Sequence, residues 1–250
     1  MEGEIVEALK YIKNKFQLRY LVPMPIEVPI DRERGLGDLF NELGYKVGAE
    51  IGTSKGRYAQ WLFSRIKGLK LYCVDPWEVY PRYVEMHDAE GQKIYDEIYE
   101  QAKARLSGKN VEFIKKYSAD AVKDFEDESL DFVYIDANHG FEWVVQDIAE
   151  WERKVKFGGI VAGHDYWNSM KRKHLYRIGI DLRPPKTYIE KMKLCQVKDA
   201  VDAWTATNMI KPWFITNEYG SEKRGGGQSL FYVRQRFDQY LPTDLQVASN

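Results

Sequence analysis

The sequence predicts an α/β protein: a doubly wound, mostly parallel sheet of seven strands with helices on both faces, an antiparallel last strand and an N-terminal helical extension. Two observations lead to this fold class. Short apolar runs alternate with longer amphipathic stretches, which is typical of strands buried on both faces and of the helices that cover them. Near the end, two apolar runs, WFITN and SLFYVRQ, are joined by a glycine-rich segment and are expected to pair antiparallel.

The first 35 residues are expected to form an extension, and residues 36–250 the main domain. Residues 4–19 place apolar side chains three and four positions apart, which predicts an amphipathic helix. The segment LVPMPIEVPI then contains three prolines, so we expect an extended connector on the surface. A short helix over LGDLFNELG leads into the sheet.

The parallel strands are predicted from five short runs rich in apolar residues. They are KVGAEI (46–51), LKLYCV (69–74), VEFIK (111–115), LDFVYI (130–135) and GIVAG (159–163). Helical periodicity between and after these runs predicts the covering helices. These are RYAQWLFSRI, YDEIYEQAKARL, ADAVKDF, FEWVVQDIAEWERKV and, before the last two strands, QVKDAVDAWTATNM.

The composition argues against several classes of protein. The 37 Lys and Arg residues balance 38 Asp and Glu residues, so no net field draws the chain to nucleic acid or to an anionic membrane. No apolar run approaches the length of a membrane span, and the N-terminus lacks the apolar core of a signal peptide. Cys73 lies in an apolar run far from Cys195, as expected of reduced thiols. We therefore expect a soluble cytoplasmic protein.

The segment EIGTSKG, residues 50–56, lies where the first parallel strand is expected to end and its helix to begin. Open parallel sheets bind ligands at that edge. Gly52 allows a sharp turn there, and Gly56 allows the helix to pack against the strand. The segment fits neither GxxxxGK[ST] nor GxGxxG, so taken alone it is equally well explained as a plain tight turn.

An acid, Asp75, follows the second parallel strand. At this position a carboxylate can accept hydrogen bonds from both ribose hydroxyls of a nucleoside that lies across the first strand. The glycine turn and this acid together indicate an adenosine-containing ligand. The alternative is that Asp75 caps a helix before Pro76.

These motifs resemble those of the class I S-adenosylmethionine-dependent methyltransferases over residues 36–165. EIGTSKG matches their first motif, Asp75 matches their ribose-binding acid, and YSADAV (117–122) is similar to their adenine-binding turn. LDFVYIDANH and FGGIVAGHDYW look like their fourth-strand and fifth-strand motifs. The resemblance implies S-adenosylmethionine as the cofactor. The cofactor contacts that it implies are Glu50, Gly52, Thr53, Ser54, Gly56, Asp75, Pro76, Trp77, Ser118, Ala119 and Asp136.

Within this class the pattern is most similar to the metal-assisted O-methyltransferases of the catechol type. That likeness implies a divalent cation, Mg²⁺ or Mn²⁺, held by Asp136, His164 and Asp165; the histidine favours Mn²⁺, Fe²⁺ or Zn²⁺ over Mg²⁺. The alternative is a site without metal, in which the two acids hydrogen-bond the substrate or the cofactor's amine. His139 matches the position of that family's lysine general base, and Asp136 is the second candidate for the base.

Two segments leave the same edge of the sheet and are expected to form lids: residues 76–95, rich in aromatic side chains, and the basic residues 166–193. The predicted reaction is methyl transfer to a hydroxyl of a small molecule or a glycan, an anionic one if the basic segment binds it. The alternatives are an RNA or protein methyltransferase, a nicotinamide-dependent oxidoreductase, and a non-catalytic scaffold that binds the nucleoside. Nucleic acid is not the favoured partner and no membrane partner is expected. The N-terminal helix is expected either to cover the active site or to pack on a second subunit in a homodimer.

Overall fold

The fold is an eight-stranded sheet with helices on both faces. A computed structural model describes residues 2–18, 23–79, 89–166, 195–217 and 228–235. Its strands are β1 (Ile26–Val28), β2 (Val47–Ile51), β3 (Lys70–Val74), β4 (Val111–Ile114), β5 (Leu130–Ile135), β6 (Val155–Tyr166), β7 (Phe214–Thr216) and β8 (Gln228–Val233). Its helices are α1 (Glu2–Lys15), α2 (Gly35–Glu42), α3 (Arg57–Arg65), α4 (Ala89–Arg105), α5 (Ser118–Ala121), α6 (Phe141–Glu152) and α7 (Val197–Thr207), with a 3-10 turn at Val122–Asp124.

The strand order is β1-β7-β8-β6-β5-β2-β3-β4. Neighbouring strands are parallel except for β8, which runs antiparallel to both β6 and β7. The predicted fold class is therefore confirmed, including the antiparallel last strand. The sheet has one strand more than predicted, and the additional strand is β1.

The proline-rich segment differs from its prediction as a surface connector. Ile26–Val28 pairs parallel with β7, with Ile26 opposite Phe214, so the segment adds an edge strand to the sheet. Ile26 and Val28 are buried, whereas Glu27 between them is exposed. The three prolines lie before and after the strand, and an edge strand leaves one of its sides without partners, so none of them interrupts the pairing.

Alternate residues of the central strands face two separate apolar layers. Val133 of β5 packs with Trp151 of α6 and Val201 of α7 on one face. Phe132 of the same strand packs on the other face with residues of α1, α2 and α3, among them Phe40. Burial on both faces explains why these strands appear in the sequence as continuous apolar runs.

The register of the central strands brings three chain turns to one edge. Ile51 at the end of β2 lies opposite Ile135 at the end of β5, which in turn lies opposite Gly163 of β6. The residues that follow these three positions therefore meet at the carboxyl edge of the sheet, where parallel sheets bind ligands.

Part of the first predicted lid and almost all of the second lie outside the described residues. Residues 80–88 and 167–194 are not among those described, and α4 already begins at Ala89, inside the first predicted lid. Among the described residues, no helix combines the length and the apolar character that crossing a membrane requires.

Candidate active site

The turn after β2 is held against the two neighbouring strands. The backbone N–H of Gly52 donates to the carbonyl of Val74 over 2.8 Å, and the N–H of Asp136 donates to the carbonyl of Ile51 over 2.8 Å. Gly52 has a φ of +89°, and a Cβ at this position would lie 2.1 Å from the carbonyl oxygen of Asp136. Both the backbone conformation and the close approach therefore require glycine here.

The variant Gly52→Ala is expected to lower the free energy of unfolding by roughly 2–5 kcal/mol, because it adds a backbone clash to the strain of a positive φ. Gly44→Ala is the matched control, since Gly44 has a φ of +80° and a Cβ there would meet nothing within 4 Å. Comparing the unfolding free energies of the two variants in urea separates the cost of the backbone strain from the cost of the clash. Equal losses would show that the approach to Asp136 does not matter.

Asp75 joins the loops that follow β2 and β3. Its carboxylate accepts hydrogen bonds from the backbone N–H groups of Ser54 and Trp77, each over 2.8 Å. Burial raises the pKa of Asp75, and the two hydrogen bonds oppose this rise. Residues 76–79 are not helical, so Asp75 does not cap a helix there. Each carboxylate oxygen keeps a lone pair that can accept a ribose hydroxyl.

Trp77 is fully buried, although the sequence places it among the cofactor contacts. Its indole Nε1–H donates to the carbonyl of Ser54 over 2.9 Å, and its ring packs against Tyr99 and Phe113. These contacts fix the loop after β2 against the residues that pack around Trp77.

A cavity of about 660 Å³ opens beside these loops, a volume that suits a small-molecule ligand. Seven of the residues predicted to contact the cofactor line it: Gly52, Ser54, Asp75, Pro76, Ser118, Ala119 and Asp136. Glu50, Thr53, Gly56 and Trp77 do not line it. The sequence motifs thus converge on one cavity, while some of their members support it from behind.

Glu50 is buried behind the turn, with 2% of its surface exposed. Burial raises the pKa of its carboxyl group to about 8, although Arg32 acts in the opposite direction. Its Oε2 has no hydrogen-bond partner, whereas the Thr53 hydroxyl donates to the Glu50 carbonyl. A buried carboxyl group with an unsatisfied oxygen can accept a ligand's ammonium group or a water molecule.

Gly56 is the N-cap residue of α3 and has a φ of +67°. A Cβ there would lie 3.2 Å from Leu106 and 3.5 Å from Ala102. The close packing that the sequence led us to expect against a strand is therefore packing against the C-terminal end of α4.

Asp147 of α6 lines the cavity and contacts the predicted adenine-binding turn. The Ser118 hydroxyl donates to the Asp147 carboxylate and accepts a hydrogen bond from the Trp151 indole over 2.8 Å. Burial raises the pKa of Asp147 to about 7, while its bond with Ser118 opposes the rise. No sequence motif marks Asp147, which lies within an ordinary amphipathic helix.

Asp147 is expected to make the stability of the protein depend on pH. Because its folded pKa of about 7 exceeds its ordinary value of 3.8, the folded state holds the proton more tightly than the unfolded chain. Its contribution is fully present below about pH 4 and is lost as the pH rises to about 7. Relative to Asp147→Asn, the wild type should lose about 2–3 kcal/mol of unfolding free energy between pH 5 and pH 8. Parallel pH profiles in urea unfolding would contradict this assignment.

The loops after β5 and within the end of β6 bring together four titratable side chains. His139 Nε2 lies 3.3 Å from Asp165 Oδ2 and 3.7 Å from Asp136 Oδ1. His164 Nδ1 lies 3.2 Å from Asp165 Oδ1 and 3.7 Å from Asp136 Oδ2. Burial lowers the pKa of His164, which favours its neutral form. Asp165 has a φ of +57°, a conformation that residues other than glycine adopt mainly at functional sites and in turns.

Arg32 reaches this cluster from the chain between β1 and α2, and no sequence motif marks it. Its Nη2 donates to Asp136 Oδ2 over 2.7 Å. Its Cζ lies 4.7 Å from the centroid of the Tyr58 ring and 5.4 Å from that of Tyr134. Burial works against ionisation of Asp136, but Arg32 and the two histidines outweigh it and hold the pKa of Asp136 well below its usual range.

The fit of a divalent cation to this cluster depends on Arg32. Asp136, His139 and Asp165 offer ligand atoms within 4.8 Å of one another, and such a mixed set suits Mn²⁺, Fe²⁺ or Zn²⁺. However, a cation there would lie beside a guanidinium that already neutralises Asp136. With Arg32 in place these residues do not fit a divalent cation, and the ligand set Asp136, His164 and Asp165 stays a prediction.

Comparison with known proteins bears on the class of this site. No curated protein matches the chain. Residues 49–166 match a family model described as a methyltransferase domain.

Two solved structures share the fold. An O-methyltransferase from Bacillus cereus in complex with SAH is 14% identical with a TM-score of 0.53, over 93% of this chain and 91% of that chain. An O-methyltransferase from Streptomyces achromogenes, involved in tomaymycin synthesis and in complex with SAM, is 15% identical with a TM-score of 0.52, over 93% of this chain and 90% of that chain. The matched domain, the strand order and the convergence of the motifs on one cavity agree: residues 49–166 are similar to a methyltransferase domain, and the chain shares the fold of these two O-methyltransferases.

Proposed function

We propose that this enzyme transfers a methyl group from S-adenosylmethionine to a hydroxyl oxygen of a small molecule or glycan. The observation that carries the proposal is the position of Asp136, which both lines the cavity and contacts His139. A donor in the cavity and a base beside it can therefore act on one acceptor. The two similar solved structures, both O-methyltransferases, support the choice of oxygen as the acceptor atom.

In this proposal the cofactor's nucleoside lies between the loops after β2, β3 and β4. Asp75 accepts the ribose hydroxyls, and Ser118 and Ala119 lie beside the adenine. Gly52 and Ser54 leave room for the amino-acid part next to Asp136, with Glu50 behind them. The lining of the cavity supports this placement, because residues of all three loops contribute to it.

His139 removes the hydroxyl proton in the proposed reaction. Asp165 and Asp136 flank its imidazole and keep one ring nitrogen directed at the site. The sulfonium of the cofactor supplies a methyl group that is already activated, so the protein has to align the acceptor oxygen and accept its proton. The O–CH₃ bond forms as the S–CH₃ bond breaks, its electron pair stays on sulfur, and the proton passes through His139 to water. Asp136 is the poorer base, because a carboxylate held by Arg32 has little affinity for a proton.

The acceptor is bounded on one side by Trp143, which lines the cavity and is 38% exposed. An exposed indole can stack on an aromatic ring or on the apolar face of a sugar. An anionic acceptor would be selected by the basic residues 166–193, almost all of which lie outside the described residues. The homodimer also stays a prediction; α1 packs Ala8 and Ile12 against residues of its own chain.

The first test is calorimetric titration with S-adenosylhomocysteine. We expect micromolar binding by the wild type and at least about tenfold weaker binding by Asp75→Asn, because both ribose hydroxyls lose a charged partner and one of them loses its acceptor. Asp131→Asn is the matched control, since Asp131 also accepts two backbone N–H groups, those of Lys46 and Val47, but does not line the cavity. If the folded wild type binds NAD⁺ and not S-adenosylhomocysteine, the oxidoreductase alternative replaces this proposal.

A further inference from the structure

We infer that Arg32 is the resident cation of this active site. Its guanidinium takes the position of positive charge that a divalent cation would otherwise fill, so methyl transfer proceeds without a metal ion. Removing the guanidinium allows the cluster to bind a divalent cation. The part of the inference that concerns methyl transfer rests on the proposed function. The part that concerns cation binding does not depend on it.

The first observation is the way in which Arg32 is built into the site. Its side chain is 18% exposed and that of Asp136 is 21% exposed, so the 2.7 Å ion pair is mostly shielded from water. The rings of Tyr58 and Tyr134 hold the guanidinium from the side, and their centroids are within 4.7 Å and 5.4 Å of its Cζ. Aromatic faces stabilise a cation at such distances. A surface arginine that meets an acid by chance would not have this enclosure.

The second observation is the balance of charge around the guanidinium. Asp136 and Glu50 both interact with Arg32, and Asp165 lies on the other side of the two histidines. Without Arg32, three carboxyl groups and two imidazoles would share a largely buried site with no positive charge from the described residues. A carboxylate cluster of that kind binds a cation readily. Arg32 therefore decides whether the set Asp136, His139 and Asp165 is a metal site.

In the reaction Arg32 is a positioning residue. It fixes one oxygen of Asp136, Oδ2, and leaves Oδ1 directed towards His139 Nε2 at 3.7 Å. A carboxylate fixed in this way keeps the imidazole oriented towards the acceptor. A metal ion would provide the same fixed charge, which explains why the chain has an arginine where the metal-assisted pattern predicts a cation.

The test is Mn²⁺ titration followed by electron paramagnetic resonance, with the wild type, Arg32→Met and Arg32→Gln. We expect no wild-type binding below about 1 mM, and at least about tenfold tighter binding in both variants. Adding Asp165→Asn to either variant should remove the gained site. Micromolar binding by the wild type, lost in Asp165→Asn, would overturn the inference, as would an absence of any gain in both variants.

Arg32→Gln is included because it keeps an N–H donor for Asp136 and so preserves the fold if Arg32→Met does not. Titration with S-adenosylhomocysteine on the same samples separates the two proposals. If the wild type does not bind S-adenosylhomocysteine while the Mn²⁺ titrations give the expected results, the proposed function is contradicted and the cation assignment stands. If the wild type methylates an acceptor, its rate should not change after treatment with EDTA, and a tenfold fall would overturn the inference.

Discussion

The substitution His139→Gln is expected to lower kcat by about 10²- to 10⁴-fold, the usual contribution of a general base. Glutamine has a similar reach and keeps hydrogen-bonding capacity, but it cannot accept the hydroxyl proton. Binding of S-adenosylhomocysteine should stay within about twofold, because His139 does not line the cavity. The measurement is single-turnover methyl transfer, which isolates the chemical step from product release.

His164→Gln is the matched control for this variant. His164 also contacts Asp136 and Asp165, but it is 9% exposed and its pKa is lowered by burial. It is therefore placed to support the cluster rather than to exchange a proton with an acceptor. If His164→Gln loses more activity than His139→Gln, the base has been assigned to the wrong histidine.

Arg32→Met is expected to lower the free energy of unfolding by about 3–5 kcal/mol, because it leaves the Asp136 carboxylate buried without its partner. The double variant Arg32→Met/Asp136→Asn should recover most of this loss, since the carboxylate that Arg32 neutralises is removed as well. Urea unfolding of the wild type, both single variants and the double variant gives the coupling energy between the two side chains.

Lys123→Met is the control for the ion pair itself. Lys123 pairs with Asp120 over the same distance of 2.7 Å, but the two side chains are 70% and 60% exposed. Its loss should not change stability measurably, because exposed pairs are screened by water. A similar loss in both variants, or a double variant no more stable than Arg32→Met, would show that burial of the Arg32–Asp136 pair has no special weight.

The central sheet could be predicted because each strand carries its own evidence. The strand over residues 130–135 was predicted with the same limits as β5, since burial on both faces makes it apolar throughout. β1 could not be predicted in this way. It has three residues between prolines, and its partner β7 comes almost at the other end of the chain, so the pairing has no local signal.

The site residues also divide into those that a local sequence pattern predicts and those that distant contacts place. Gly52, Asp75 and Asp136 each follow directly after a predicted strand, and the rule that parallel strands end at one edge is enough to bring them together. Trp77 also follows a strand end, but a φ of +44° turns its side chain into the core beside Tyr99. That rotation depends on packing partners that no local pattern reveals.

Arg32 was missed for a stronger reason. The pair with Asp136 joins residues that are 104 positions apart, and the arginine lies in a charged stretch, DRER, that is typical of an exposed turn. The chemistry of its partner, Asp136, did indicate that a cation lies nearby. A carboxylate at the end of a buried strand needs a cation, and a metal ion was the only cation considered for Asp136 apart from the cofactor's amine, although a distant arginine can also serve.

The edge strand β1 and Arg32 after it also bear on how a metal requirement can change among related methyltransferases. The segment shared with the methyltransferase family begins at residue 49, after both of them. On our inference that Arg32 takes the place of a divalent cation, two enzymes can agree at every position of the matched segment and still differ in whether they need a metal, through one upstream residue. Dependence on a metal is then a property that a lineage can gain or lose by a single codon change outside its defining motifs.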